Sequence, residues 1–176
     1  MKIFIISLKT SHDRRAVMTE QLVRLKVPFE FVDAVDGRAL SDEEVAQRYD
    51  PTWAYRYEGR YLSRGEIGCA LSHLKVYQKI VDENISYALI LEDDAWLTPS
   101  IVGVLESLEN KISADLNSVF LLQEMSVGKY TKSGEQISVV DDLFVCRVDG
   151  AASFGDVFIV TRQAAKSMFA ALTSVA

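Results

Sequence analysis

The run LSRGEIGCALSHLKVYQKIVDENISYALILEDDAWL, residues Leu62 to Leu97, decides the fold. Ser63 followed three residues later by Glu66 is a capping-box pattern, which starts a helix there. Ile67, Ala70, Leu71, Leu74 and Val81 then recur at helical spacing and predict one apolar face. Tyr87-Ala-Leu-Ile-Leu91 is an unbroken apolar run, the pattern of a parallel strand covered on both sides. Glu92, Asp93 and Asp94 follow at once. Carboxylates at the carboxyl end of an inner strand sit where open α/β sheets bind ligands. Three adjacent acids repel one another unless they are solvated, paired with basic groups, or holding a cation. Mg²⁺ and Mn²⁺ prefer oxygen ligands and are commonly held by one or two carboxylates together with substrate phosphates. Spacing alone leaves a metal-diphosphate site and a solvated strand end as equal alternatives.

Upstream, Ile3–Leu8 reads as a strand, and the polar segment Lys9–Asp13 leads into a helix carrying Val17, Met18, Gln21, Leu22 and Leu25. Pro28–Asp33 alternates as a second strand, with Asp36-Gly37 as turn punctuation. Strand, helix and strand within about thirty residues make a βαβ unit with a right-handed crossover. Ser41–Glu44 starts a helix that Asp50-Pro51 ends. Tyr49–Tyr61 holds Trp53, Tyr49, Tyr55, Tyr57 and Tyr61 without a clear period, and reads as a loop or short helix over the sheet edge. Its aromatics either stack on sugar rings or fill a core. Downstream come a short helix in Pro99–Ile112, a buried strand at Ser118–Leu122 followed by Gln123 and Glu124, and a last strand at Val157–Val160. Thr161 caps a final helix with Ala164, Ala165, Met168, Phe169 and Leu172 on one face. The expected class is α/β: a Rossmann-type, mostly parallel sheet with helices on both faces and a small antiparallel β element near 125–149.

With 176 residues the chain reads as one domain, and 49% apolar and 25% charged residues are the composition of a soluble globular protein. No apolar run approaches the roughly 18–20 residues of a membrane span, and the N-terminus reads as a strand rather than a signal peptide. Cys69 and Cys146, far apart and without CxxC spacing, read as reduced, buried thiols of a cytosolic protein. A net charge of −6 argues against nucleic acid as a partner, while leaving open docking on a membrane through a local patch.

Three groups of residues could carry chemistry. Glu66 and His73, seven apart, point nearly the same way, with Cys69 near that flank; they could bind phosphate, orient a hydroxyl or move a proton. Alternatively Glu66 only closes the capping box and His73 is a satisfied core residue. Arg64, Gly65 and free N–H groups at the helix start suit an anion such as a diphosphate. Arg14 and Arg15, just after the first strand, could meet a nucleotide or form a solvated helix face, and His12 reads as a polar loop residue.

Leu62–His73, the apolar strand and Leu91-Glu-Asp-Asp-Ala95 together resemble the signature of glycosyltransferase family 25, the bacterial lipooligosaccharide galactosyltransferases and their relatives. Arg14-Arg15, the segment Phe31–Gly37 and the segment Phe154–Ala165 match in the same order, so the resemblance covers essentially all of the chain. It implies a GT-A-like domain over residues 1–176 that moves a hexose from a UDP-sugar such as UDP-galactose to a glycan or lipooligosaccharide acceptor. It implies Asp94 as direct Mn²⁺ or Mg²⁺ ligand, with Glu92 as a second ligand or on the ribose, and Asp93 on the ribose or a metal-bound water. Ser7, Arg14, Arg64 and Glu66 would lie at the donor; Glu124, Asp156 and His73 are candidates for the base that takes the acceptor's proton. Such an enzyme is expected in the cytoplasm, or peripheral at the inner membrane. Ser7 stands where the family usually has Asn, and family members usually run longer, so the chain is either C-terminally truncated or reduced. A non-catalytic relative that binds a nucleotide sugar or a partner is the main alternative. A receiver-like signalling domain would want its acidic pair after the first strand, and an aspartate-nucleophile phosphatase would want Asp at position 92.

Overall fold

The computed structural model describes residues 1–109, 111, 116–122, 131–140, 143–149 and 156–173; for 131–149, and for residues 57, 172 and 173, it describes the backbone alone. Five strands form the main sheet in the order β2-β1-β3-β7-β4. These are β1 (Lys2–Ser7), β2 (Glu30–Asp33), β3 (Tyr87–Glu92), β4 (Val119–Leu121) and β7 (Val157–Thr161). β1 pairs parallel with both β2 and β3, while β7 lies antiparallel between β3 and β4. Four strands therefore run one way and β7 runs against them. A separate antiparallel pair, β5 (Thr131–Val140) and β6 (Leu143–Asp149), is the small β element expected near 125–149.

Alternation along the inner strands divides the core into two layers. Ile3, Ile5, Leu89, Leu91, Val157 and Ile159 face α1 (His12–Leu25) and α5 (Ile101–Glu109), meeting Met18, Leu22, Leu105 and Leu108. Phe4, Ile6, Ala88, Ile90, Phe158 and Val160 face α4 (Arg64–Asp82) and α6 (Arg162–Thr173), meeting Val76, Tyr77, Ile80, Ala164 and Ala165. Both strand faces are covered, which explains why β1, β3 and β7 read as continuous apolar runs. Each fully buried Phe, Leu or Ile here contributes about 1.5–3 kcal/mol.

The local start signals are realised in the expected places. Ser63 Oγ accepts from Glu66 N–H while Ser63 N–H donates to Glu66 Oε2 at 2.8 Å. Buried Thr161 accepts from Ala164 N–H at 3.3 Å and so opens α6. Two expectations need correction. Pro51 does not merely end a helix: α2 (Asp42–Ala46) stops first, and Pro51 then begins α3 (Pro51–Glu58), with Asp50 accepting from Thr52 and Trp53 N–H. The buried face of α4 runs through Ile67, Gly68, Ser72, Val76, Tyr77 and Ile80, whereas Ala70 is exposed. The face is turned because the loop after β2 lies directly on the helix. A Cβ on Gly68 would stand 2.6 Å from Val35 O, one on Gly37 would collide with Arg64 O, and Ser72 Oγ accepts from Val35 N–H at 2.8 Å. Small residues are needed there, and a search for large apolar ones misses them. No helix among the described residues is long and apolar enough to cross a membrane.

Candidate active site

The carboxyl ends of β1, β2 and β3 lie side by side, and they carry Ser7, Asp33 and Glu92. Because β7 is antiparallel to β3, its first residues come to the same edge. Glu92 N–H donates to Asp156 O at 2.9 Å, so the residue preceding β7 is tied to the end of β3. Carboxylate oxygens of Glu92, Asp94 and Asp156 consequently lie within 4.8 Å of one another. Partial burial, then the charges of Glu92 and Asp94, push the Asp156 carboxyl above its ordinary range.

Asp93 turns the other way, into the protein. Its side chain is only 10% exposed and takes a hydrogen bond from Ser7 Oγ at 2.7 Å and an ion pair from Arg14 at 2.9 Å. Arg14 also reaches Asp94 at 3.5 Å, joining the buried acid to the exposed one. Arg15 braces the same edge: its guanidinium donates to Ser7 O at 2.8 Å and Asp33 at 2.6 Å, and lies over the Phe31 ring. That donation holds the Asp33 carboxyl below its ordinary range. Ser7, Arg14 and Asp93 are thus brought together as one network, with hydroxyl and guanidinium already engaged by carboxylates.

α4 forms the opposite wall. Cys69 and His73, one turn apart, both face Glu92, with Sγ 3.9 Å and Nε2 3.4 Å from Oε1. Cys69 is exposed rather than buried as expected, yet partial burial of the sulfur, then the Glu92 charge, push its thiol up to about 11. A hydrogen bond to an ionised Glu92 places a proton on His73 Nε2, and Nδ1 is a buried nitrogen with no partner among the described residues. Glu66 and Arg64 are engaged elsewhere. Glu66 closes the capping box and pairs with Arg60 at 2.5 Å, the Arg60 hydrogen bond being the largest of the effects that hold it at about 2. Arg64 binds Leu40 O and Asp42 on the neighbouring α2. Among the aromatics, Trp53, Tyr55 and Tyr61 are exposed rather than core, and Trp96, two residues past the acids, is 79% exposed. Glu124 and the side chains of Cys146 and Tyr57 lie outside what the structure describes. A cavity of about 580 Å³ lined by Met1, Ile3, Phe29 and Tyr87 opens at the amino ends of the strands, away from this chemistry.

The profile of glycosyltransferase family 25 (LPS biosynthesis protein) matches residues 1–154. The chain belongs to glycosyltransferase family 25. Curated family relatives include procollagen galactosyltransferase 2 of Homo sapiens, 40% identical over 96 residues, covering 53% of this chain and 15% of the relative. Procollagen galactosyltransferase 1-B of Xenopus laevis is 38% identical over 96 residues, covering 53% of this chain and 16% of the relative. The inactive glycosyltransferase 25 family member 3 of Homo sapiens is 32% identical over 117 residues, covering 65% of this chain and 20% of the relative. The chain therefore spans about one-sixth to one-fifth of the length of these relatives, which are animal proteins, so the expected bacterial branch does not follow from them.

Within this family-25 chain, the donor set at the strand edge fits a hard divalent cation. All three groups are carboxylates, they converge on one spot, and their mutual repulsion is relieved by a positive charge. Glu92 and Asp94 were legible as candidates from their place at a strand end. Asp156 was legible only through the family resemblance, as one of three candidate bases; its closeness to Glu92 depends on β7 being antiparallel, which a buried apolar run does not reveal. The Arg15–Asp33 brace had no sequence signal beyond position.

Proposed function

We propose that this chain handles the donor in a hexosyltransferase that moves galactose from UDP-galactose to a hydroxyl of a glycan or lipooligosaccharide. One observation supports this above the others: Glu92 and Asp94 converge with Asp156 at the edge where open α/β sheets receive ligands. Glu92 and Asp94 would hold Mn²⁺ or Mg²⁺, and Asp93, locked by Ser7 and Arg14, would fix the loop that presents Asp94. A hard divalent cation in that set would supply charge neutralisation for the diphosphate leaving group. Asp156, exposed and with its carboxyl raised, would take the acceptor hydroxyl's proton. His73 suits that role less, since its free nitrogen is buried. Exposed Trp96, Trp53, Tyr55 and Tyr61 offer flat faces for sugar or base. A lipooligosaccharide acceptor would place the chain at the cytoplasmic face of the inner membrane.

The experiment is the thermal shift given by UDP with and without Mn²⁺, followed by release of galactose from UDP-galactose. A Mn²⁺-dependent rise in Tm and a turnover that falls about 10²–10³-fold in Asp94→Ala support transfer. The same Tm rise without turnover supports the second reading, a nucleotide-sugar-binding relative, which the similarity to an inactive family member favours. No Mn²⁺-dependent effect of UDP would contradict both.

A further inference from the structure

The α4 wall of the cleft carries donors of a different kind from the acid cluster. Cys69 Sγ, His73 Nε2 and Glu92 Oε1 lie within 4.8 Å of one another. Cys69 and His73 stand four residues apart on one helix, so a single rigid element presents sulfur and nitrogen together, and β3 brings the carboxylate from the sheet. Zinc takes just these ligand types, with bonds of about 2.3 Å to sulfur and about 2.0–2.2 Å to nitrogen and oxygen. A tetrahedron with those bonds has edges of about 3.6 Å between sulfur and oxygen and about 3.4 Å between nitrogen and oxygen. The corresponding separations are 3.9 Å and 3.4 Å, close to those edges, and the sulfur and nitrogen donors lie within 4.8 Å of each other.

We propose that Cys69, His73 and Glu92 form a zinc site with three protein ligands and an open fourth position, distinct in chemistry from the all-carboxylate set beside it. The thiolate and imidazole select a borderline-soft ion over Mg²⁺ or Ca²⁺. Coordination through Nε2 moves the ring proton to Nδ1, and the neighbouring rings of Tyr77 and Phe158 flank the imidazole. Because Glu92 belongs to both sets, zinc on the α4 wall and a hard ion at the acid cluster draw on one carboxylate. The site does not depend on the chain being a transferase.

The test uses Zn²⁺ alone, titrated into the metal-free full chain against a chelating indicator, with Co²⁺ as a spectroscopic substitute. The expected result is one Zn²⁺ per chain and a sulfur-to-cobalt charge-transfer band. Losing even an outer partner of a metal ligand costs about 10–100-fold in affinity, so Cys69→Ser and His73→Gln should each weaken Zn²⁺ at least about tenfold. Cys69→Ser should also abolish the Co²⁺ band, while Asp94→Asn, which keeps the sulfur and nitrogen donors, should leave that band in place. Cys69 is exposed, so its serine variant leaves the core intact, and circular dichroism checks both variants. Absence of stoichiometric Zn²⁺, undiminished affinity in either ligand variant, or loss of the Co²⁺ band in Asp94→Asn would overturn the proposal. None of these readings involves nucleotide or sugar, so failure here leaves the transferase reading intact, and the reverse also holds.

Discussion

Asp93 and Asp94 are neighbours with opposite situations, and the difference decides what each can do. Asp93 is a nearly buried carboxylate held by Ser7 and Arg14, while Asp94 is exposed beside Glu92 and Asp156. Removing the Ser7 hydroxyl strips a hydrogen bond from a charged, nearly buried group. Ser7→Ala should therefore lower stability by about 1.5–3 kcal/mol in urea denaturation. Asp156 gives the opposite sign. Its charge sits against two others, so Asp156→Asn should raise the Tm of the metal-free chain at neutral pH while cutting turnover about 10²–10⁴-fold, the separation expected of a group kept for chemistry. Beside Asp33, Glu66 contributes to the acid limb of the stability profile. Its carboxyl, held at about 2 by the Arg60 and Ser63 contacts against an ordinary 4.5, stabilises the fold above the ordinary value and loses that contribution as pH falls towards 2. Glu66→Gln should flatten that limb in a pH series of Tm. The smaller part of this behaviour, the capping box, was readable from Ser63 and Glu66; the larger Arg60 contact was not. The Asp93–Ser7 bond, across 86 positions in sequence, was not.

At the scale of elements, the loop after β2 and the first turns of α4 pack backbone to backbone through Gly37, Gly68 and Ser72. A methyl group at Gly37 meets Arg64 O and cannot be accommodated by rotating a side chain. Gly37→Ala should cost about 1–3 kcal/mol, the range for overpacking, measured as a lowered urea midpoint at unchanged slope. This contact also shows why element positions were legible while faces and directions were less so. Strand runs such as Tyr87–Leu91 and Val157–Val160 declare themselves by apolar content, and both were placed from it. The same content says nothing of strand direction, so the antiparallel β7, and with it the approach of Asp156 to Glu92, stayed hidden. The face of α4 was misread because its tightest contacts use glycine and serine, which carry little weight in a hydrophobic period.

On the scale of the whole molecule, an α/β/α sandwich directs three strand ends and the start of an antiparallel fourth to one edge. That edge bears a cluster of acids in a chain that already carries a net charge of −6. Like charges are concentrated where they lower stability, which is the pattern of a site kept for binding rather than for folding. The family match over residues 1–154 agrees with the order of motifs read from the sequence, and the branch of the family and its acceptor are what that order did not contain. In the proposed function Glu92 and Asp94 would hold a hard cation that neutralises a bound pyrophosphate. Mn²⁺ titration in the presence of UDP, followed by the electron paramagnetic resonance signal of free Mn²⁺, tests it most directly. One Mn²⁺ per chain that requires UDP for tight binding, weakened at least about tenfold in Asp94→Asn, is the result expected; Mn²⁺ binding that ignores both UDP and Asp94→Asn would contradict it.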